Sequence, residues 1–93
     1  MSLLFEWDAQ KAAQNESKHG VRFDEAATVF GDPLSLTVPD PDHSSGETRY
    51  LTLGLSFRGR LLVVVHADRE DSIRIIGSRL PTRRERKTYE EDV

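Results

Sequence analysis

His66, Arg74 and Arg79 are the residues of this 93-residue chain whose types and spacing could do chemistry, and they fall within RLLVVVHADREDSIRIIGSR at 60–79. An imidazole gives and takes protons near neutral pH. A guanidinium stays charged, and its planar fork matches two oxygens of a phosphate. Metal-free cleavage of a phosphodiester beside a 2′-hydroxyl needs those functions: one proton removed, one returned, and fixed positive charge for the oxygens between. Tyr50 adds a ring that can stack on a base or reach a phosphate.

Each residue also has an ordinary reading. His66 follows an apolar run, where a strand-end imidazole bonds a backbone carbonyl. Arg74 can pair across strands with an acid such as Glu47 or Asp68. Arg79 can bond carbonyls near Pro81. Lys18 and His19 complement the negative end of a helix dipole, and Tyr50 can simply pack.

The elements that must position these groups are legible. Leu61–Val65 is an apolar, β-branched run of strand length, and Ile73, Ile75 and Ile76 mark a second strand after the polar turn 69–71. Thr48–Ser56 alternates, with Leu51, Leu53 and Leu55 on one side and Tyr50, Thr52 and Gly54 on the other. Simple alternation gathers Tyr50, Thr52, His66, Arg74 and Ser78 on one face. Arg79 takes the opposite parity at a strand end, where a bulge could swing it round. Phe57-Arg58-Gly59 reads as a hairpin turn with glycine at a positive φ.

Upstream, Leu3–Trp7 suits a short edge strand. Asp8 is an N-cap for a helix over 9–19, stopped by Gly20. Asp24 is the expected cap of a shorter helix, Glu25 to Phe30, closed by Gly31. Leu34–Val38 alternates as a strand, and 39–47 reads as an exposed loop. Thr82-Arg83-Arg84-Glu85 is a capping box that opens a last helix to about Glu91. Helices and strands in runs, not alternating, imply an α+β fold with an antiparallel meander. The expectation is that the helices pack on one face and leave the other for function.

Composition narrows the class. One domain of this length has a modest core. There is no cysteine, so disulfides and thiolate chemistry are excluded. No run suits a signal peptide or a membrane span. Three scattered histidines give no metal-ligand spacing. Net charge is −3, split between an acidic first half (three basic against nine acidic residues in 1–48) and a basic second half (ten against seven). Such asymmetry permits a local phosphate-binding face on an acidic protein. A DNA-binding regulator is disfavoured, since no helix-turn-helix with a basic recognition helix is evident.

FEWDAQKAAQNESKHGVRFDEAATVFGDP at 5–33 resembles the opening of the BrnT toxin family. Phe5, Trp7, Asp8, Lys11, Asn15, Lys18, His19, Gly20, Val21, Phe23, Glu25 and Ala26 carry the likeness. Residues 49–91 resemble the remainder, with two departures: Gly77-Ser78 precedes Arg79 where the family usually has Ser-Ala, and Pro81 stands where alanine is common. The resemblance implies a RelE-like sheet with two N-terminal helices and one C-terminal helix. It further implies a cytoplasmic toxin of a type II toxin–antitoxin pair, cutting RNA to arrest translation, with a BrnA-like antitoxin that supplies DNA binding.

The cluster and the resemblance together give a metal-independent endoribonuclease without cofactors. His66 is expected to transfer protons, and Arg74 and Arg79 to hold the phosphate. Lys18 or His19 would add cationic support, and Tyr50 and Tyr89 would contact the RNA. The alternative is a non-catalytic module that docks an acidic partner segment on its basic sheet face.

Overall fold

The structure, a computed structural model, describes residues 4–40 and 47–91. Most of the expected 39–47 loop, His43 included, lies outside the described residues. The order is β1 (Leu4–Glu6), α1 (Ala9–His19), α2 (Phe23–Ala27), a 3₁₀ turn (Thr28–Gly31), β2 (Leu36–Pro39), β3 (Tyr50–Leu55), β4 (Leu61–Asp68), β5 (Ser72–Arg79) and α3 (Arg83–Glu91). The strands form one sheet in the order β1-β5-β4-β3-β2. β2 to β5 are an antiparallel meander, as expected, but β1 joins β5 in parallel, so the sheet is mixed. Three residues carry no pairing signal of their own. β1 is placed by Phe5, which aligns with Ile73 and meets the ring of Phe30 at 5.4 Å between centroids.

The local signals act as their chemistry requires. The Asp8 carboxylate accepts from the Lys11 N–H at 3.0 Å, and Gly20 closes α1 at φ 70°. Gly59 takes φ 77° in the β3–β4 hairpin. The Thr82 hydroxyl accepts from the Glu85 N–H at 3.1 Å, while Glu85 Oε1 accepts from the Thr82 N–H at 2.8 Å. Two boundaries differ. α2 begins at Phe23, and Asp24 lies inside it, gripping Arg22 instead of capping. The Thr28 hydroxyl bonds the Glu25 carbonyl at 2.6 Å, and the chain tightens into the 3₁₀ turn there. β2 starts only at Leu36, because Asp32 first holds the Leu34 and Ser35 N–H groups in a turn.

Helices cover both faces of the sheet, which corrects the one-face expectation. Val21, Phe23, Ala26 and Val29 pack on Leu62, Val64 and Ile75 on the α1/α2 side. Tyr89 of α3 packs with Leu53, Leu61 and Val63 on the other side. The unbroken apolar run of β4 has this cause: a strand buried on both faces does not alternate.

Two devices anchor the frame. The Asn15 amide of α1 accepts from the Ser78 N–H at 3.1 Å and donates to the Ser78 carbonyl at 2.8 Å. It thereby satisfies β5 beyond the last residue that pairs with β1. Glu25, 3% exposed, accepts from the Ser56 hydroxyl at 2.7 Å and from the Arg60 guanidinium at 2.6 and 3.0 Å, tying α2 to the β3–β4 hairpin.

Candidate functional site

A bulge decides where the candidate residues go. Val65 aligns with Gly77, but His66 aligns with Ile75, so Ile76 has no partner in the ladder. One extra residue reverses the parity of everything before it in β5. Ile73 and Ile75 therefore face α1 and α2. Arg74, aligned with Ala67 and Glu6, faces the α3 side. Arg79, aligned with Val63, faces the α3 side as well.

His66 lies on the opposite side with Tyr50, Thr52 and Ser78. It is 1% exposed, and both ring nitrogens are engaged: Nε2 with the Thr52 hydroxyl at 2.7 Å and Nδ1 with Asp68 Oδ1 at 2.8 Å. The Thr52 hydroxyl in turn meets that of Thr37 at 2.7 Å, so the chain of bonds links β2, β3 and β4. Phe30 stands edge-on to the imidazole at 4.8 Å between centroids, and Tyr50 stacks on it at 5.9 Å. Burial pushes the imidazole below its usual pKa, against the opposing pull of Asp68. The expected grouping of His66 with Arg74 and Arg79 around one phosphodiester is thus not the geometry found, because the sheet separates them.

On the α3 side each arginine is held by a carboxylate. Arg74 pairs with Glu47, while its buried Nε has no partner. Arg79 grips Glu85 in a two-pronged pair, Nη1 to Oε1 at 2.8 Å and Nη2 to Oε2 at 3.0 Å. These bonds bring Glu85 down to about 2 against the opposing cost of burial, with help from the Thr82 N–H. Glu85 raises Arg79 in return. The two Cα atoms are about 15 Å apart along β5, and the guanidiniums are committed to different carboxylates.

Glu85 also lines a groove of about 220 Å³ between the sheet and α3. Leu51, Leu53 and Val63 form its floor, Leu36 and Val38 one wall, and Arg84, Glu85 and Thr88 the other. An apolar floor beside a cationic fork suits a ligand with a flat apolar part and an anionic part. Among the described residues no three His, Asp or Glu side chains gather as a metal-binding group, and no helix is long and apolar enough to cross a membrane.

The remaining candidates are dispersed. Lys18 and His19 are exposed in the last turn of α1, beside a shallow hollow shared with Lys11, Gln14, Asn15 and Ile76. Tyr50 is half-buried against His66. Tyr89, expected as a stacking surface, is 6% exposed in the core and donates its hydroxyl to Asp32 at 2.6 Å. A helix of charged residues with a lone aromatic buries that aromatic, which is why α3 spends it on packing. Sequence reasoning took Glu85 only as a helix cap. The signal for more was its place six residues after Arg79, across a proline turn that folds the helix start back onto the strand end.

Fold and site define a small α+β protein, with a mostly antiparallel sheet between helices and an arginine held by a carboxylate that lines a groove. Residues 7–85 match the family described as "Ribonuclease toxin, BrnT, of type II toxin-antitoxin system". The chain belongs to that family, and so to the ribonuclease toxins of type II toxin–antitoxin systems. Its fold is similar to that of the Brucella abortus ribonuclease toxin BrnT in its crystal structure. The TM-score is 0.63 at 16% identity, covering 88% of this chain and 100% of that one. No curated protein matches the chain.

Proposed function

We propose that this chain is an endoribonuclease that cuts RNA without a resident metal ion and arrests translation in the cytoplasm, neutralised by a BrnA-like antitoxin. The scissile phosphate sits at Arg79, with the adjoining base or ribose on the apolar floor of the groove. The observation that carries this reading is the two-pronged grip of Arg79 on Glu85 at the groove wall. A fork that fits a carboxylate fits two phosphate oxygens equally well. Arg74, whose side chain is part-exposed, takes a more distant phosphate of the same strand.

Lys18, His19 and Tyr50 lie on the other side of the sheet from the groove and serve as outlying contacts only for a longer RNA that wraps round the sheet. His66 is given a positioning role: its bonds to Thr52 and Asp68 hold β4 where the bulge forms, and the bulge sets the arginine face. DNA binding is left to the antitoxin.

The test is cleavage of a single-stranded RNA by the purified chain in excess EDTA. Cutting is expected with EDTA present, and Arg79→Ala should abolish it while the far-ultraviolet circular dichroism is unchanged. RNA left intact, or cleavage that EDTA stops and Mg²⁺ restores, would overturn the reading. The exposed edge of β2 beside the groove also suits a partner strand. A pure binding module would then be harmless on expression, whereas the toxin should stop growth unless Arg79 is changed.

A further inference from the structure

Glu85 is placed unusually for a helix cap. Its Oε1 accepts from both the Thr82 N–H and Arg79 Nη1, and its Oε2 from Arg79 Nη2. The Glu85 side chain is 28% exposed and that of Arg79 35%, so solvent reaches the pair, and Glu85 also lines the groove. A phosphodiester entering there competes with the carboxylate for the same two N–H groups. The Thr82 N–H keeps one carboxylate oxygen in place when the fork changes hands. The freed carboxylate then lies next to the phosphate that displaced it, within reach of the adjoining 2′-hydroxyl.

We propose that Glu85 is the proton acceptor for RNA cleavage, masked by Arg79 in the free protein and released when a phosphate takes the guanidinium. This rests on the ribonuclease reading above. The carboxylate takes the proton of the 2′-hydroxyl as that oxygen bonds to phosphorus. The bond from phosphorus to the 5′-oxygen breaks, the leaving oxygen gains a proton from water, and the hydroxide so formed takes the proton back from Glu85. The products are a 2′,3′-cyclic phosphate and a free 5′-hydroxyl, and no redox partner is involved. Arg79 stabilises the added charge on the phosphorane oxygens throughout. In the free protein the same pairing keeps Glu85 a very weak base, so its basicity appears only with substrate bound. The ligand class is RNA and not DNA, since the nucleophile is the ribose 2′-hydroxyl.

The test is Glu85→Gln. Glutamine also completes a capping box, so the helix start is kept while proton acceptance is lost. The expected result is a fall in kcat of about 10²–10⁴-fold, with loss of the acid limb of the pH–rate profile. Affinity for an RNA carrying a 2′-deoxy group at the cut site should hold or tighten, because a neutral amide competes less for Arg79. Thr82→Ala loosens the same helix end and removes the hydroxyl beside the carboxylate, but keeps the carboxylate itself, its bond from the backbone N–H of residue 82 and both Arg79 bonds. It should lower Tm yet cost less than tenfold in rate and keep the pH profile. A Glu85→Gln enzyme that cuts within threefold of wild type with the same pH profile overturns the proposal and leaves the ribonuclease reading standing. So does a Thr82→Ala enzyme that loses as much activity as Glu85→Gln. A wild-type chain that never cuts RNA overturns both.

Discussion

Arg60→Ala should destabilise the scaffold behind the site in a pH-dependent way. Arg60 supplies two of the three side-chain hydrogen bonds to the buried Glu25 carboxylate, at 2.6 and 3.0 Å, and Ser56 supplies the third. Removing one partner of a buried ion pair costs about 3–5 kcal/mol. The Arg60 side chain is 37% exposed, so water enters the vacated space, and about 2–3 kcal/mol is the better figure here. For a domain of this size that lowers Tm by about 10–20 °C.

The sign of the pH dependence is fixed by the carboxylate. In wild type the Arg60 hydrogen bonds, against the opposing effect of burial, hold Glu25 below its usual range. That stabilisation is present above the unfolded value of about 4.3 and drains away as pH falls through the lower folded value. Without Arg60, burial dominates and raises the folded value instead. The penalty in the variant is then absent in acid and grows as pH rises. The gap between the two proteins should be smallest near pH 4 and widest at pH 7. Urea titrations followed by the fluorescence of Trp7, which meets Phe23 edge-on at 6.0 Å, measure it. Adding Glu25→Gln to the variant should flatten the curve. A gap under about 1 kcal/mol, the worth of one ordinary hydrogen bond, or one that does not change with pH, would refute the reasoning.

Further outcomes follow from the same structure. Burial sets the folded value of His66 below the unfolded one. Its contribution is therefore complete above about pH 6.5 and lost as pH falls toward the folded value; His66→Gln should remove that slope from urea midpoints taken between pH 5 and 7. Gly54→Ala would bring a Cβ to 3.0 Å from Ser35 Cβ and Val29 Cγ1, costing about 1–3 kcal/mol in a denaturant titration. Tyr89, raised to about 12 by burial and its bond to Asp32, should show no phenolate absorbance at 295 nm until well above pH 10. Tyr89→Phe should cost about 1–2 kcal/mol in urea.

Much of this protein was determined locally, by chemistry that a sequence displays. Asp8 and Gly20 bound α1, Gly59 turns the hairpin, and Thr82 with Glu85 starts α3, because each acts through bonds to residues within a few positions of itself. The strands β3, β4 and β5 were legible from their apolar patterning for the same reason. The absence of alternation in Leu61–Val65 even carried the signal that both sheet faces are covered. The arginine and histidine types suit phosphate and proton chemistry, but type alone places none of them.

The arrangement of those groups was decided only in three dimensions. Parity along a strand holds until one residue is left unpaired, and Ile76 is left unpaired by how β4 meets β5 across a register that no short stretch encodes. That single slip put Arg74 on the opposite face from His66. The parallel seat of β1 depends on Phe5 meeting Phe30, and the burial of Tyr89 depends on α3 folding back over the sheet. The meeting of Arg79 with Glu85 depends on the same fold-back. Backbone hydrogen bonding reads neighbours, whereas the faces of a sheet are assigned by contacts between residues far apart in the chain.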